Sequence, residues 1–240
     1  MASNPPEKCC TLVKFHEGKP IGALQDLHGV ETYVVGKDNP SSRVIVILTD
    51  IYGHKLVNVK LIADQFATFG KYQVYIPDIL KSDPFDPSKY DLQEWLFAHG
   101  PEVTGPIVEK FLKGICAESS SSFVGLIGYC FGAKYAIQQI AENGLGDSAA
   151  VAHPSFVTIE EIAAIKKPLL ISAAEVDQIY TTELRHATEA KLAEIKARYQ
   201  LTMFSGVSHG FSVRGDLSDP VVRYAAEKTL MDQIHWFSMS

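Results

Sequence analysis

The sequence predicts an α/β protein: a mostly parallel, doubly wound sheet flanked by helices in a single domain. Three observations carry this. From residue 43 onward, short Val/Ile-rich runs alternate with amphipathic stretches of helical length, the pattern of strands joined by crossover helices. The run Arg43-Val-Ile-Val-Ile-Leu-Thr49 is apolar on both faces, as a central strand covered on both sides must be. The 240 residues suffice for one large domain with a substantial core, and no linker-like break divides them.

Residues 1–29 carry little pattern and are expected to wrap the surface, leaving 30–240 as the domain. Val30–Val35 reads as a strand, joined to 43–49 through the turn-rich link 36–42, which suggests an antiparallel edge pair. Asn58–Phe69 places Val59, Ile62, Ala63, Phe66 and Phe69 on one stripe, and Gly70 closes the helix. Tyr72–Ile76 is the next strand, and the Pro-, Asp- and Ser-rich stretch 81–90 an exposed loop. Helices follow at Asp91–His99 and Thr104–Ala117, then a short polar connector at Ser119–Ser122. Phe123–Tyr129 is a strand and Ala133–Ala141 a helix, followed by a strand at Ala149–Ala152 and a short helix at Ile159–Ile165. A strand at Pro168–Ala173, a helix at Thr181–Ala197 and a strand at Tyr199–Phe204 come next. Asp219–Trp236 is the last helix, with Pro220 in its first turn.

Composition narrows the function classes. A net charge of −6 with 21% charged residues argues against nucleic-acid or anionic-membrane partners, which call for a basic face. The start lacks a basic region followed by an apolar core, and no apolar stretch approaches membrane-spanning length. Four cysteines at 9, 10, 116 and 130 are too few and too irregular for a disulfide scaffold or a zinc site, so a reducing, cytoplasmic setting is expected. The histidines are scattered, there is no H-E-x-x-H, P-loop or G-x-G-x-x-G, and neither metal nor cofactor is expected. A monomer or weak homodimer acting on a small molecule fits this composition.

The chemistry concentrates at Gly128-Tyr129-Cys130-Phe131-Gly132, where an apolar strand runs directly into a helix. This is the G-x-S-x-G nucleophile elbow with sulfur in place of oxygen. Glycines two positions either side allow close chain approach, and the following helix sets free N–H groups and a positive dipole end beside the sulfur, favouring thiolate. The alternative is a buried cysteine at a tight turn. In a parallel sheet, active groups gather at the carboxyl ends of strands. Asp177 follows the strand at 168–173 and His209 the strand at 199–204, so the order Cys130, Asp177, His209 matches the nucleophile–acid–base order of α/β-hydrolases. His209 would move the thiol proton and later assist water; Asp177 would fix its tautomer. Taken singly, an Asp at 177 is more often a helix cap or turn residue, and a His at 209 more often an exposed loop histidine. The N–H groups of Phe131 and Ile51 would form the oxyanion hole. Asp50 would discourage thiolate formation or compete for its proton, or else simply cap its loop. His153, just past a strand, is placed to line the pocket.

Thr49-Asp-Ile-Tyr-Gly53, Pro77-Asp-Ile-Leu80, the cysteine elbow, Glu175-Val-Asp177 and Ser208-His-Gly-Phe211 together resemble the dienelactone hydrolase family, especially its fungal branch, from about residue 30 to the carboxyl terminus. The resemblance implies an α/β-hydrolase fold, a cofactor-free Cys-His-Asp triad and an ester or lactone substrate held near Tyr52. It also implies a carboxylate that restrains the thiol, here Asp50, and a pair of arginines clamping a substrate carboxylate. At those two places this chain has Lys81-Ser82 and Arg214, the latter one residue beyond the family spacing, which puts dienelactone itself in question as substrate. Two other readings stand beside it. A cysteine elbow also occurs in glutamine amidotransferases and DJ-1-like proteins, but the former place a carboxylate where this chain has Phe211. A non-catalytic binding protein on the same fold is the second.

Overall fold

A computed structural model describes residues 1–118 and 122–240; the expected serine connector lies, apart from Ser122, outside the described residues. Eight strands form one sheet in the order β1-β2-β4-β3-β5-β6-β7-β8. They are β1 (Ala23–Leu27), β2 (Val30–Val35), β3 (Arg43–Leu48), β4 (Gln73–Pro77), β5 (Phe123–Tyr129), β6 (Ser148–Ala152), β7 (Leu169–Val176) and β8 (Tyr199–Ser208). The six from β3 to β8 are parallel, and β1 and β2 add an antiparallel edge beside β4. The helices are α1 (Val57–Phe69), α2 (Leu92–Ala98), α3 (Pro101–Glu118), α4 (Phe131–Gln138), α5 (Ile159–Ala163), α6 (Thr182–Glu194), α7 (Phe211–Arg214) and α8 (Pro220–Met239).

The sheet separates two apolar cores. One gathers Phe66, Tyr72 and Phe237 under α1 and α8; the other gathers Trp95, Phe111 and Phe131 on the opposite face. Val44 to Leu48 and all of β5 are buried, which is why these runs lack polar alternation. Helix starts are set by side-chain caps: Asp91 for α2, Thr158 for α5, Thr181 for α6 and Asp219 for α8 each accept backbone N–H bonds.

Two expectations change. The antiparallel pairing of 30–35 with 43–49 does not form: β4 lies between them, pairing Thr32 with Pro77 and Val46 with Tyr75. A strand apolar on both faces needs covered neighbours, and the crossover through α1 delivers β4 to its side. The left-handed turn falls to Lys71 at φ 57°, while Gly70 closes α1 as expected, with φ −83°. Its lack of a side chain serves packing, since a Cβ there would meet the Tyr72 ring at 2.3 Å.

Residues 1–29 are not merely a surface wrap. Residues 23–27 join the sheet, and Ala2, Ser3 and Cys10 are buried. The N–H groups of Ala2 and Ser3 donate to Val157, that of Asn4 donates to Ile179, and Phe156 donates back to Asn4. These bonds tie the first residues to the loops beyond β6 and β7, so the segment lies against the body as a strap over the carboxyl ends of the strands.

Candidate active site

Cys130 sits between β5 and α4 with φ 48° and ψ −108°, a conformation strained for any residue with a Cβ. The flanking glycines explain how it persists. A Cβ on Gly132 would stand 2.1 Å from the Leu48 carbonyl oxygen, and one on Gly128 2.5 Å from the Ala133 Cα. The β5–α4 corner is therefore pressed against the end of β3. The Cys130 N–H donates to Ala152, and its carbonyl accepts from Ala133 and Ser155.

β8 runs as far as Ser208, four residues beyond the expected end, and holds His209 by a bond from its N–H to Val176. His209 Nε2 lies 3.1 Å from Cys130 Sγ, and Nδ1 lies 2.9 Å from Asp177 Oδ2. Asp177 Oδ1 accepts the N–H groups of Ile179 and Tyr180, so the carboxylate is fixed from both sides. The structure thus brings together the three residues that the sequence order singled out.

Burial by itself raises a thiol, but the hydrogen bond from Cys10 and the charge of His209 outweigh it and hold Cys130 well below its usual range. Burial also lowers His209, yet the Cys130 sulfur and Asp177 raise it to about 10. Both shifts run in the direction that favours a thiolate beside an imidazolium. His153, buried with φ 40°, is pushed down by burial to about 4 and stays neutral. Its Nε2 is 2.8 Å from Ser212 Oγ, and its ring centroid is 5.0 Å from that of His209.

The loop after β3 supplies the remaining groups. Asp50 Oδ1 accepts the Tyr52 N–H and Gly53 turns with φ 73°, which shapes the loop. Ile51 and Phe131 are buried beside the elbow, and among the described residues neither N–H has a loop or side-chain acceptor. Asp50 does not face the thiol bare. Arg214 Nε stands 2.8 Å from its Oδ2 with both side chains 1% exposed, a close ionic contact whose N–H is not aligned for a hydrogen bond. Burial pushes the Asp50 carboxyl up, and Arg214 offsets part of that rise.

Arg214 is buried. Its Nη1 donates to the carbonyls of Cys10 at 2.6 Å and Leu12 at 2.7 Å, so it fastens the strap. Tyr52 does the same, its hydroxyl donating to the Thr11 carbonyl. Lys81 is not brought to the site: at φ 57° after Asp78 it turns outward into a separate groove with Glu31 and Lys110.

Sequence reasoning missed Cys10. Its Sγ lies 3.5 Å from Cys130 Sγ, closing the site from above. No spacing rule connects residues 120 apart; the strap's backbone bonds and the Arg214 and Tyr52 side chains bring them together. Ser155, 3.7 Å from the Cys130 sulfur through its Oγ, was missed for the same reason.

Comparison with known proteins fits this geometry. The model of the dienelactone hydrolase family matches residues 30–240. The chain is 38% identical to hydrolase tropI of Talaromyces stipitatus, over 99% of this chain and 98% of that one. It is 38% identical to hydrolase pyvD of Aspergillus violaceofuscus with the same coverage, and 29% identical to dienlactone hydrolase 1 of Gibberella moniliformis over 98% and 94%. Among solved structures, the fold is shared with a dienelactone hydrolase-like promiscuous phosphotriesterase from metagenomic libraries, at TM-score 0.69 and 16% identity over 88% of this chain and 92% of that one. It is shared as well with dienelactone hydrolase from Anabaena variabilis, at TM-score 0.64 and 14% identity over 88% and 97%. The chain is a hydrolase and belongs to the dienelactone hydrolase family.

Proposed function

We propose that the protein hydrolyses small carboxylic esters or lactones through an acyl-thioester on Cys130. The observation that carries this is the continuous relay Asp177–His209–Cys130, with steps of 2.9 and 3.1 Å, ending at a strained elbow. The thiolate attacks the acyl carbon, and the oxyanion develops toward the Ile51 and Phe131 N–H groups. His209 gives its proton to the departing alkoxide, then takes one from the water that hydrolyses the thioester. Asp177 holds the imidazole with Nε2 toward sulfur.

Substrate enters when the strap lifts. Arg214 then loses its two carbonyl acceptors and presents Nη1 and Nη2 to the site, which supports a role as anchor for an anionic substrate group; unchanged KM for such a substrate in Arg214→Ala would remove that role. Asp50 sets where Arg214 stands, and through it the charge felt by the thiol. Four free thiols favour a reducing, cytoplasmic setting, and no described helix is long and apolar enough to cross a membrane. With a panel of aryl esters and enol lactones, Cys130→Ser and His209→Ala should lose turnover by about 10⁴-fold, with the acyl adduct detected by mass on Cys130, while Cys116→Ser retains it. Equal activity in all three would sink the reading. Turnover of glutamine instead would favour the amidotransferase alternative.

A further inference from the structure

Cys10 Sγ, Cys130 Sγ and His209 Nε2 are all buried and lie within 4.8 Å of one another. Two of these atoms belong to the reaction just described; the Cys10 sulfur has no part in it. We propose that these three atoms form a binding site for a thiophilic divalent cation of the zinc class, which locks the strap closed over the nucleophile.

The distances lie close to those that a bound metal requires. With Zn–S near 2.3 Å and Zn–N near 2.0–2.1 Å, tetrahedral angles put two sulfurs about 3.8 Å apart and sulfur and nitrogen about 3.6 Å apart. The structure has 3.5 Å between the sulfurs and 3.1 Å between Cys130 Sγ and His209 Nε2. Those two pairs open by a few tenths of an ångström around an ion, while Cys10 Sγ and His209 Nε2, within 4.8 Å of each other, settle near the same S–N separation. A disulfide would need the sulfurs to close by about 1.5 Å on a strap pinned at its carbonyls.

The surroundings suit the same ion. Two thiolates and an imidazole select zinc-class cations over magnesium or calcium. Asp177 Oδ2 accepts from His209 Nδ1 at 2.9 Å, the carboxylate–histidine arrangement that aims the other ring nitrogen at a metal. Charge balances as well. The cation forms two Zn–S bonds and one Zn–N bond and displaces whatever protons those three atoms carry to solvent. No electron moves. The ion ties the strap to the elbow and covers the nucleophilic sulfur, so the bound form is inactive and a chelator restores it.

The experiment uses the full chain carrying Cys116→Ser, which removes the exposed thiol, reduced and stripped with chelator. Cobalt(II) serves as the optical probe and zinc as competitor. One cobalt per chain should bind with thiolate-to-metal charge transfer and the visible bands of a tetrahedral ion, and one equivalent of zinc should displace it. Cys10→Ala should remove about half the charge-transfer intensity and weaken zinc binding at least tenfold, while Cys9→Ser leaves both unchanged. Cys10→Ser, nearly isosteric, repeats the measurement should Cys10→Ala fold poorly. Octahedral cobalt without charge transfer would overturn the site. So would binding that Cys10→Ala leaves intact, or binding lost in Cys9→Ser instead. Each readout is spectroscopic and stands whether or not an ester is turned over.

Discussion

Replacing Arg214 by Met tests the buried ion pair and the strap at once. The guanidinium and the Asp50 carboxylate are each 1% exposed. Removing one member leaves the other charge uncompensated, which destabilises by about 3–5 kcal/mol. That is a large share of the roughly 5–15 kcal/mol that holds a domain folded. With a urea slope near 3 kcal/mol/M, the unfolding midpoint should fall by about 1–1.7 M. The double variant Asp50→Asn/Arg214→Met has no orphaned charge and should recover at least about 2 kcal/mol of that loss. Alkylation of Cys130 by iodoacetamide, followed by peptide mass, separates the second role. It should accelerate in Arg214→Met and stay fast in the double variant, because both lack the fork that holds the Cys10 and Leu12 carbonyls. Stabilities that add within about 0.5 kcal/mol would refute the pairing. Recovery of slow alkylation in the double variant would refute the strap's dependence on Arg214.

The Cys130–His209 pair also makes stability depend on pH. His209 rises from 6.5 to about 10 on folding, so its contribution is complete below 6.5 and lost as pH climbs through 10. Cys130 falls well below 9.0, so its contribution is complete above 9.0 and lost as pH drops toward its folded value. Between 6.5 and 9.0 each state binds one proton at the pair, and the slope vanishes. The stability difference between the wild type and Cys130→Ala/His209→Ala, from urea melts, should therefore be flat from about 6.5 to 9 and decline on either side; a monotonic trend across that window would contradict it. Gly132→Ala should destabilise by about 3 kcal/mol or more, since the new methyl meets the Leu48 carbonyl oxygen at 2.1 Å; a melting temperature within a degree or two of wild type would show that the corner gives way. Ala2→Asp places a carboxylate where the side chain is 1% exposed and should expel the strap rather than stay buried. Cys130 alkylation should then rise at least tenfold, and no change would mean that the strap is held elsewhere.

The parts legible in the sequence were those written locally. The elbow shows because a strand, two glycines and a helix lie within a dozen residues, and the order of Asp177 and His209 follows from where parallel strands end. Topology at the antiparallel edge was not legible, because nothing in 36–42 says that β4 will enter between β2 and β3. The strap was hidden for a different reason. Its ties join residues far apart in the chain, as backbone bonds to Val157, Ile179 and Arg214 and as carbonyls of residues 10–12 held by the Arg214 and Tyr52 side chains, and a sulfur facing another 120 positions away has no periodicity. Arg214 was visible as a residue, while its burial against Asp50 depended on the four-residue helix α7 that the sequence did not announce.

The covering of Cys130 by Cys10 has a kinetic consequence. With Cys130 as the proposed nucleophile, an acyl donor would reach the sulfur only after residues 2–12 lift, and that step would precede bond-making identically for every ester. For poor leaving groups the chemistry is slower than lifting, and kcat/KM tracks leaving-group acidity. As esters become more activated, their values converge on one ceiling set by how often the strap opens, and the Brønsted slope flattens toward zero. The protein's discrimination is then sharpest among its least reactive substrates.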